Sequence, residues 1–146
     1  MDYEIVNLDE KIVVGVSAVT GNEDPEMETT IGALWSKLYQ GGISSSIKNR
    51  TNEYTIGLYS DYNDNKYTVT VGHEVSKDDN KELVTKFIPS GKYAKFTIKG
   101  NMVTAVAEAW KEIWSMNLDR GFTGDFEEYL NSDFENSNIN IYIALK

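Results

Sequence analysis

Thr123-Gly124-Asp125-Phe126-Glu127-Glu128-Tyr129-Leu130 reads as a β-strand, and its alternation sets how the rest of the chain is read. Side chains on a strand point to opposite faces in turn, so Phe126, Glu128 and Leu130 share one face and Asp125, Glu127 and Tyr129 the other. A carboxylate beside a phenol is costly to desolvate unless it is protonated, hydrogen-bonded or given a cation, and aromatic faces attract cations too. Such a face suits a positively charged guest. The plain alternative is a solvated sheet face, because acids are seldom buried.

Upstream of this strand, Gly100-Asn101 opens a helix in which Val103, Val106, Trp110, Ile113 and Trp114 form an apolar stripe while Glu108, Lys111 and Glu112 face water. Asn117 to Gly121 ends it. A strand over Lys92 to Lys99 precedes it, entered from the strand pattern Leu83 to Ile88 through the turn Pro89-Ser90-Gly91. Downstream, a polar loop from Asn131 to Asn138 leads into the alternating strand Ile139 to Leu145. Glu128, on the opposite face from Glu127, is expected in water.

The first half of the chain repeats this plan. Tyr3 to Val6 and Lys11 to Val19 read as one long or bulged strand. Asp24 and Pro25 open a helix as N-cap and first helical residue, Ile31, Leu34, Trp35, Leu38 and Tyr39 form its stripe, and Gly41-Gly42 closes it. A polar loop from Ile43 to Asn52 follows. Tyr54 to Ser60 and Tyr67 to Val75 form a hairpin joined by Asp61 to Asn65. Each half is thus strand, helix, strand, strand. Each helix spaces a Trp four residues before another aromatic, Trp35 with Tyr39 and Trp110 with Trp114. The expected fold is α+β: two β-α-β-β units, residues 1–76 and 83–146 in round terms, forming an antiparallel sheet with both helices on one face and a crevice between the halves.

Composition removes several classes of function. The chain of 146 residues, 40% hydrophobic, suits one globular domain with its own core. A formal net charge of −9 opposes direct binding of nucleic acid, which needs a basic stripe. Without cysteine there is no disulfide, thiol nucleophile or thiolate metal site. Asp61, Asn63 and Asn65 begin like a calcium loop, but Lys66 stands at the glycine position and Gly72 at the bidentate glutamate. His73, the sole histidine, is expected as a sheet-edge or cross-strand partner rather than a metal ligand, and no Ser-His-Asp triad can be assembled. No metal or cofactor is expected. The start, Met1-Asp2-Tyr3-Glu4, lacks the basic and apolar signature of a signal peptide, and no run spans a bilayer, so a cytoplasmic location is expected.

Thr55-Ile56-Gly57-Leu58-Tyr59, Val71-Gly72-His73-Glu74-Val75, Ile88-Pro89-Ser90-Gly91-Lys92-Tyr93-Ala94, Trp110, Phe126-Glu127-Glu128-Tyr129 and Ile139-Asn140-Ile141-Tyr142-Ile143 together resemble the GyrI-like domains. Those domains are similar to the effector-binding domains of AraC-type and MerR-type multidrug regulators. The resemblance spans essentially the whole chain and implies the doubled strand-helix-strand-strand (SHS2-type) fold with ligands held between the halves. It implies that Glu127 is the acid of the site and Tyr129 its neighbour, with Tyr59 and Trp110 as aromatic walls. Trp35 and Trp114 are further candidates by their own helical spacing, which more often marks core than cleft. No room is left for a helix-turn-helix, so a bare sensor or binder is expected, without direct promoter binding.

Two functions follow. In the first, the protein takes up planar, often cationic, drug-like molecules, as a sequestering sensor or a module for an unidentified protein partner. In the second, Glu127 is the general base of a hydrolase of strained-ring, cyclopropanoid electrophiles, with Tyr129 steering water or substrate. A further possibility is an accessory role in transcription regulation or inhibition of a DNA-handling enzyme through the acidic surface.

Overall fold

The β-branched and aromatic runs of the chain pair into one eight-stranded sheet in the order β1-β6-β8-β7-β3-β4-β2-β5, every neighbouring pair antiparallel. The computed structural model describes all residues, 1–146. In chain order the elements are β1 (Glu4–Leu8), β2 (Lys11–Thr20), α1 (Met27–Tyr39), α2 (Ile43–Ser46), β3 (Thr55–Asn63), β4 (Lys66–Val75), β5 (Val84–Ile88), β6 (Gly91–Gly100), α3 (Thr104–Ser115), β7 (Asp125–Tyr129) and β8 (Ser137–Ala144).

The expected single first strand is two strands at opposite ends of the sheet. β1 pairs with β6, whereas β2 lies between β4 and β5. Only Asp9 and Glu10 separate them, and three Cα steps reach about 11 Å at most. The sheet therefore curls until its ends nearly meet. The connection from β5 to β6 through Pro89 and Ser90 makes the same demand. Accordingly Ile88, near one edge, shares an inner cluster with Ile56, Leu58, Phe126, Tyr93 and Tyr142, against which Val6 and Leu8 of the other edge pack.

The outer face is covered by the helices. Leu34 and Leu38 of α1 pack on Val14, Val69 and Val71, and Ala109 and Ile113 of α3 pack on Phe96, Ile139, Ile141 and Ile143. Trp35 touches both clusters, bridging the two helix-sheet cores. α1 begins at Met27, two residues later than expected, with Glu26 rather than Asp24 at its N-cap. Asp24 instead closes the preceding turn, its carboxylate accepting the Glu26 N–H at 2.8 Å, while before α3 Asn101 Oδ1 accepts the N–H groups of Val103 and Thr104 at 3.0 and 3.1 Å. No helix is long and apolar enough to cross a membrane.

Four further expectations are corrected by the structure. The loop after α1 contains the one-turn helix α2, and the hairpin turn is shorter than Asp61 to Asn65. Asp64 and Asn65 alone make it, both at positive φ as a type I′ turn requires (50° and 65°). Of the two placements expected for His73 the sheet edge fails and the cross-strand one is found: it is buried on β4, inside the sheet, opposite Val14 of β2. Its Nδ1–H donates to the Tyr54 carbonyl at 2.7 Å, and its Nε2 accepts from the Ser44 hydroxyl at 2.7 Å, tying α2 to the sheet. Burial holds its pKa below the usual value, in keeping with a neutral ring. Glu128 is not solvated either: it points into the curled sheet, is 9% exposed, and accepts from Asn140 Nδ2 at 3.2 Å and the Tyr142 hydroxyl at 3.4 Å. Curling turned a face expected in water into an interior.

Candidate functional site

Glu127 sits at the middle of the sheet, on β7, where β7 pairs with β3 and the two halves of the chain meet. Its side chain points outward beneath α1 and α3 and is 3% exposed. Oε1 accepts the Tyr129 hydroxyl at 2.7 Å. Oε2 accepts the Trp110 indole N–H at 2.7 Å and the Tyr59 hydroxyl at 3.0 Å. All three donors are neutral, and the carboxylate makes no ion pair. Desolvation raises its pKa above the usual value, with the bonds from Tyr129, Trp110 and Tyr59 pulling the other way. Burial, reinforced by the Glu127 charge, pushes both tyrosine pKa values far up, so both phenols remain donors.

Aromatic rings enclose this carboxylate from both helices. Trp35 meets Tyr129 edge-on at 4.9 Å, and Trp110 meets Tyr59 edge-on at 5.5 Å. Behind Tyr59 stands Tyr67 at 5.4 Å, its phenol pushed up to about 12, mainly by burial. Of the residues singled out in the sequence, Glu127, Tyr129, Tyr59, Trp110 and Trp35 thus converge. Trp114 does not reach the acid: it lies 6.1 Å outside Trp110 and is 51% exposed.

The site holds residues that the sequence did not announce. Gly57 pairs directly across from Glu127, and a Cβ there would stand 3.1 Å from Glu127 Oε1. Tyr39 hydrogen-bonds Thr55 beside the stacked ring of Trp35. Two residues before Glu127, Asp125 is fully buried and is met by Arg120 Nη2 at 2.5 Å, the Tyr62 hydroxyl at 2.5 Å and the Ala144 N–H at 2.8 Å. Tyr62 reaches it because β3 is irregular between Ser60 and Asn63, with Asp61 at φ 53°. Arg120 also lies 4.3 Å over the Phe122 ring. The sequence signal for that pair was an arginine, one of two in the chain, five residues before an acid.

Solved structures share this fold. SAV2435 bound to tetraphenylphosphonium matches with a TM-score of 0.85 at 20% identity, over 100% of this chain and 94% of that one. A putative bacterial transcription regulation protein from Staphylococcus aureus MU50 matches with a TM-score of 0.82 at 19% identity, over 100% and 99%. The integron cassette protein VCH_CASS2, from the mobile metagenome of Vibrio cholerae, matches with a TM-score of 0.75 at 28% identity, over 99% and 95%. No curated protein sequence matches the chain. The class is that of effector-binding proteins. The chain belongs to the Cass2 family, described as integron-associated effector binding protein, which matches residues 4–145.

Proposed function

We propose that this protein binds planar, aromatic, cationic drug-like molecules, acting as a GyrI-like effector-binding or sequestering module in the cytoplasm. Glu127 supplies the countercharge, Tyr59, Tyr129, Trp35 and Trp110 supply the walls, and Trp114 lies at the rim. The observation that carries this reading is a buried carboxylate held by three neutral donors, ringed by aromatics and lacking any cationic partner. Unit charges 4 Å apart attract by about 4 kcal/mol at the effective dielectric of a partly buried site, against about 1 kcal/mol in water. A lipophilic cation that sheds its water at little cost gains that difference and stacks on the rings as well. The tetraphenylphosphonium carried by the structurally similar SAV2435 shares the lipophilic aromatic and cationic character, though it is tetrahedral rather than planar.

The hydrolytic reading is weaker on the same geometry. A general base needs a lone pair aimed at water; the Tyr59, Trp110 and Tyr129 donors occupy three of the four acceptor sites of the Glu127 carboxylate and leave one, on Oε1. The test is a calorimetric titration with tetraphenylphosphonium and with tetraphenylborate, which has the same shape and the opposite charge. Saturable binding of the phosphonium alone, with the ligand recovered unchanged by mass spectrometry, is expected. Equal binding of the borate would contradict a site chosen for its charge.

A further inference from the structure

The strand ladders of the two halves correspond in length and register. Moving eighty residues along the chain carries Glu4–Leu8 onto Val84–Ile88 and Lys11–Thr20 onto Gly91–Gly100. Moving seventy carries the start of β3 at Thr55 onto the start of β7 at Asp125. The pairings follow: Val13↔Glu74 becomes Tyr93↔Ala144, Glu4↔Lys95 becomes Val84↔Gly15, and Ile56↔Gly72 becomes Phe126↔Tyr142. The central pair Gly57↔Glu127 maps onto itself with its members exchanged. A pseudo-twofold axis therefore passes between them.

About this axis the aromatic enclosure is nearly symmetric. Tyr59 corresponds to Tyr129, and both donate to the same carboxylate. Trp35 of the first half meets Tyr129 of the second, and Trp110 of the second meets Tyr59 of the first. The acid alone has no mate. Where the second half carries Glu127, the first carries Gly57, whose φ is not positive, so no turn or left-handed backbone requires a glycine there. A glycine inside a strand weakens it and often marks a close approach. Here the approach is that of Glu127 Oε1 itself. The other acid on this face of β7, Asp125, is already engaged by Arg120, and Glu128 points to the opposite face.

We propose that Gly57 fixes the charge number of the ligand: one half gives the acid, the other gives the space for it, and the site is a receptor for monocations that discriminates against dications. This deepens the reading above and rests on it. A second positive charge entering the same aromatic enclosure finds no second carboxylate and loses its hydration without compensation.

The test compares tetraphenylphosphonium with its analogue in which one phenyl is replaced by N-methylpyridinium, a dication of nearly the same shape, by calorimetry on the full chain. The wild type is expected to bind the monocation about tenfold or more tighter than the dication. Gly57→Ala, whose methyl displaces the carboxylate without adding charge, is expected to weaken both ligands and keep their ratio. Gly57→Asp, checked for folding by circular dichroism, is expected to move the ratio toward the dication by about tenfold. Equal or tighter binding of the dication by the wild type overturns the proposal whatever the variants do, as does an unchanged ratio in folded Gly57→Asp. No binding of tetraphenylphosphonium by the wild type would instead overturn the functional reading beneath it.

Discussion

Asp125 and Glu127 are two residues apart on one strand, both buried, and each accepts three hydrogen bonds. They differ in one respect. Asp125 has a guanidinium 2.5 Å away, whereas Glu127 has only phenols and an indole. A buried carboxylate is costly unless paired, so the first is complete within the chain and the second is stabilised but not neutralised. A buried acid held by neutral donors among aromatic rings, without its own cation, is a place where a ligand can supply one. The contrast teaches that burial and hydrogen bonding do not mark a site by themselves; the missing countercharge does.

The difference can be broken from the Asp125 side first. Arg120→Ala would leave a fully buried carboxylate without its cation, and a loss of about 3 kcal/mol in denaturant unfolding is expected, most of it recovered when Asp125→Asn is added. Next, Trp110→Phe removes one of the three donors to the Glu127 carboxyl and is expected to cost about 1.5 kcal/mol. Glu127→Gln is expected to act with the opposite sign, leaving the protein at least as stable at neutral pH, by up to about 1 kcal/mol, because a desolvated charge is removed. The pH dependence sharpens this. The folded pKa of Glu127 is raised, so the folded state holds its proton more tightly than the unfolded chain does. Its stability contribution is complete below the ordinary carboxylate pKa and is lost as pH rises through the folded value. The advantage of Glu127→Gln should therefore shrink on acidification, read from urea midpoints at a series of pH values. Smallest of all, Trp114→Ala is expected to change stability by no more than about 0.5 kcal/mol, since that ring is half exposed outside the enclosure.

Much of this arrangement was legible in local pattern. The alternation of Asp125 to Tyr129 put Glu127 and Tyr129 on one face, and the helical spacing of Trp35 and Trp110 put each on a sheet-facing stripe. What was not legible depends on long-range register. Gly57 faces Glu127 only because β3 and β7 pair at the centre of the sheet, seventy residues apart, and nothing local to Gly57 says so. The break between β1 and β2 carries no glycine or proline, only Asp9-Glu10, so two strands read as one. That same break forces the curl that buried Glu128, expected in water. Tyr62 reaches Asp125 through an irregularity in β3 that shifts its register, which no alternation rule foresees.

The central claim is that the uncompensated charge of Glu127 recruits the ligand. It is tested most directly by calorimetric titration of wild type and Glu127→Gln with tetraphenylphosphonium at one pH and salt concentration. The account predicts a loss of about a hundredfold in affinity in a variant that remains folded. Unchanged affinity would contradict it and would make the aromatic rings alone the source of binding.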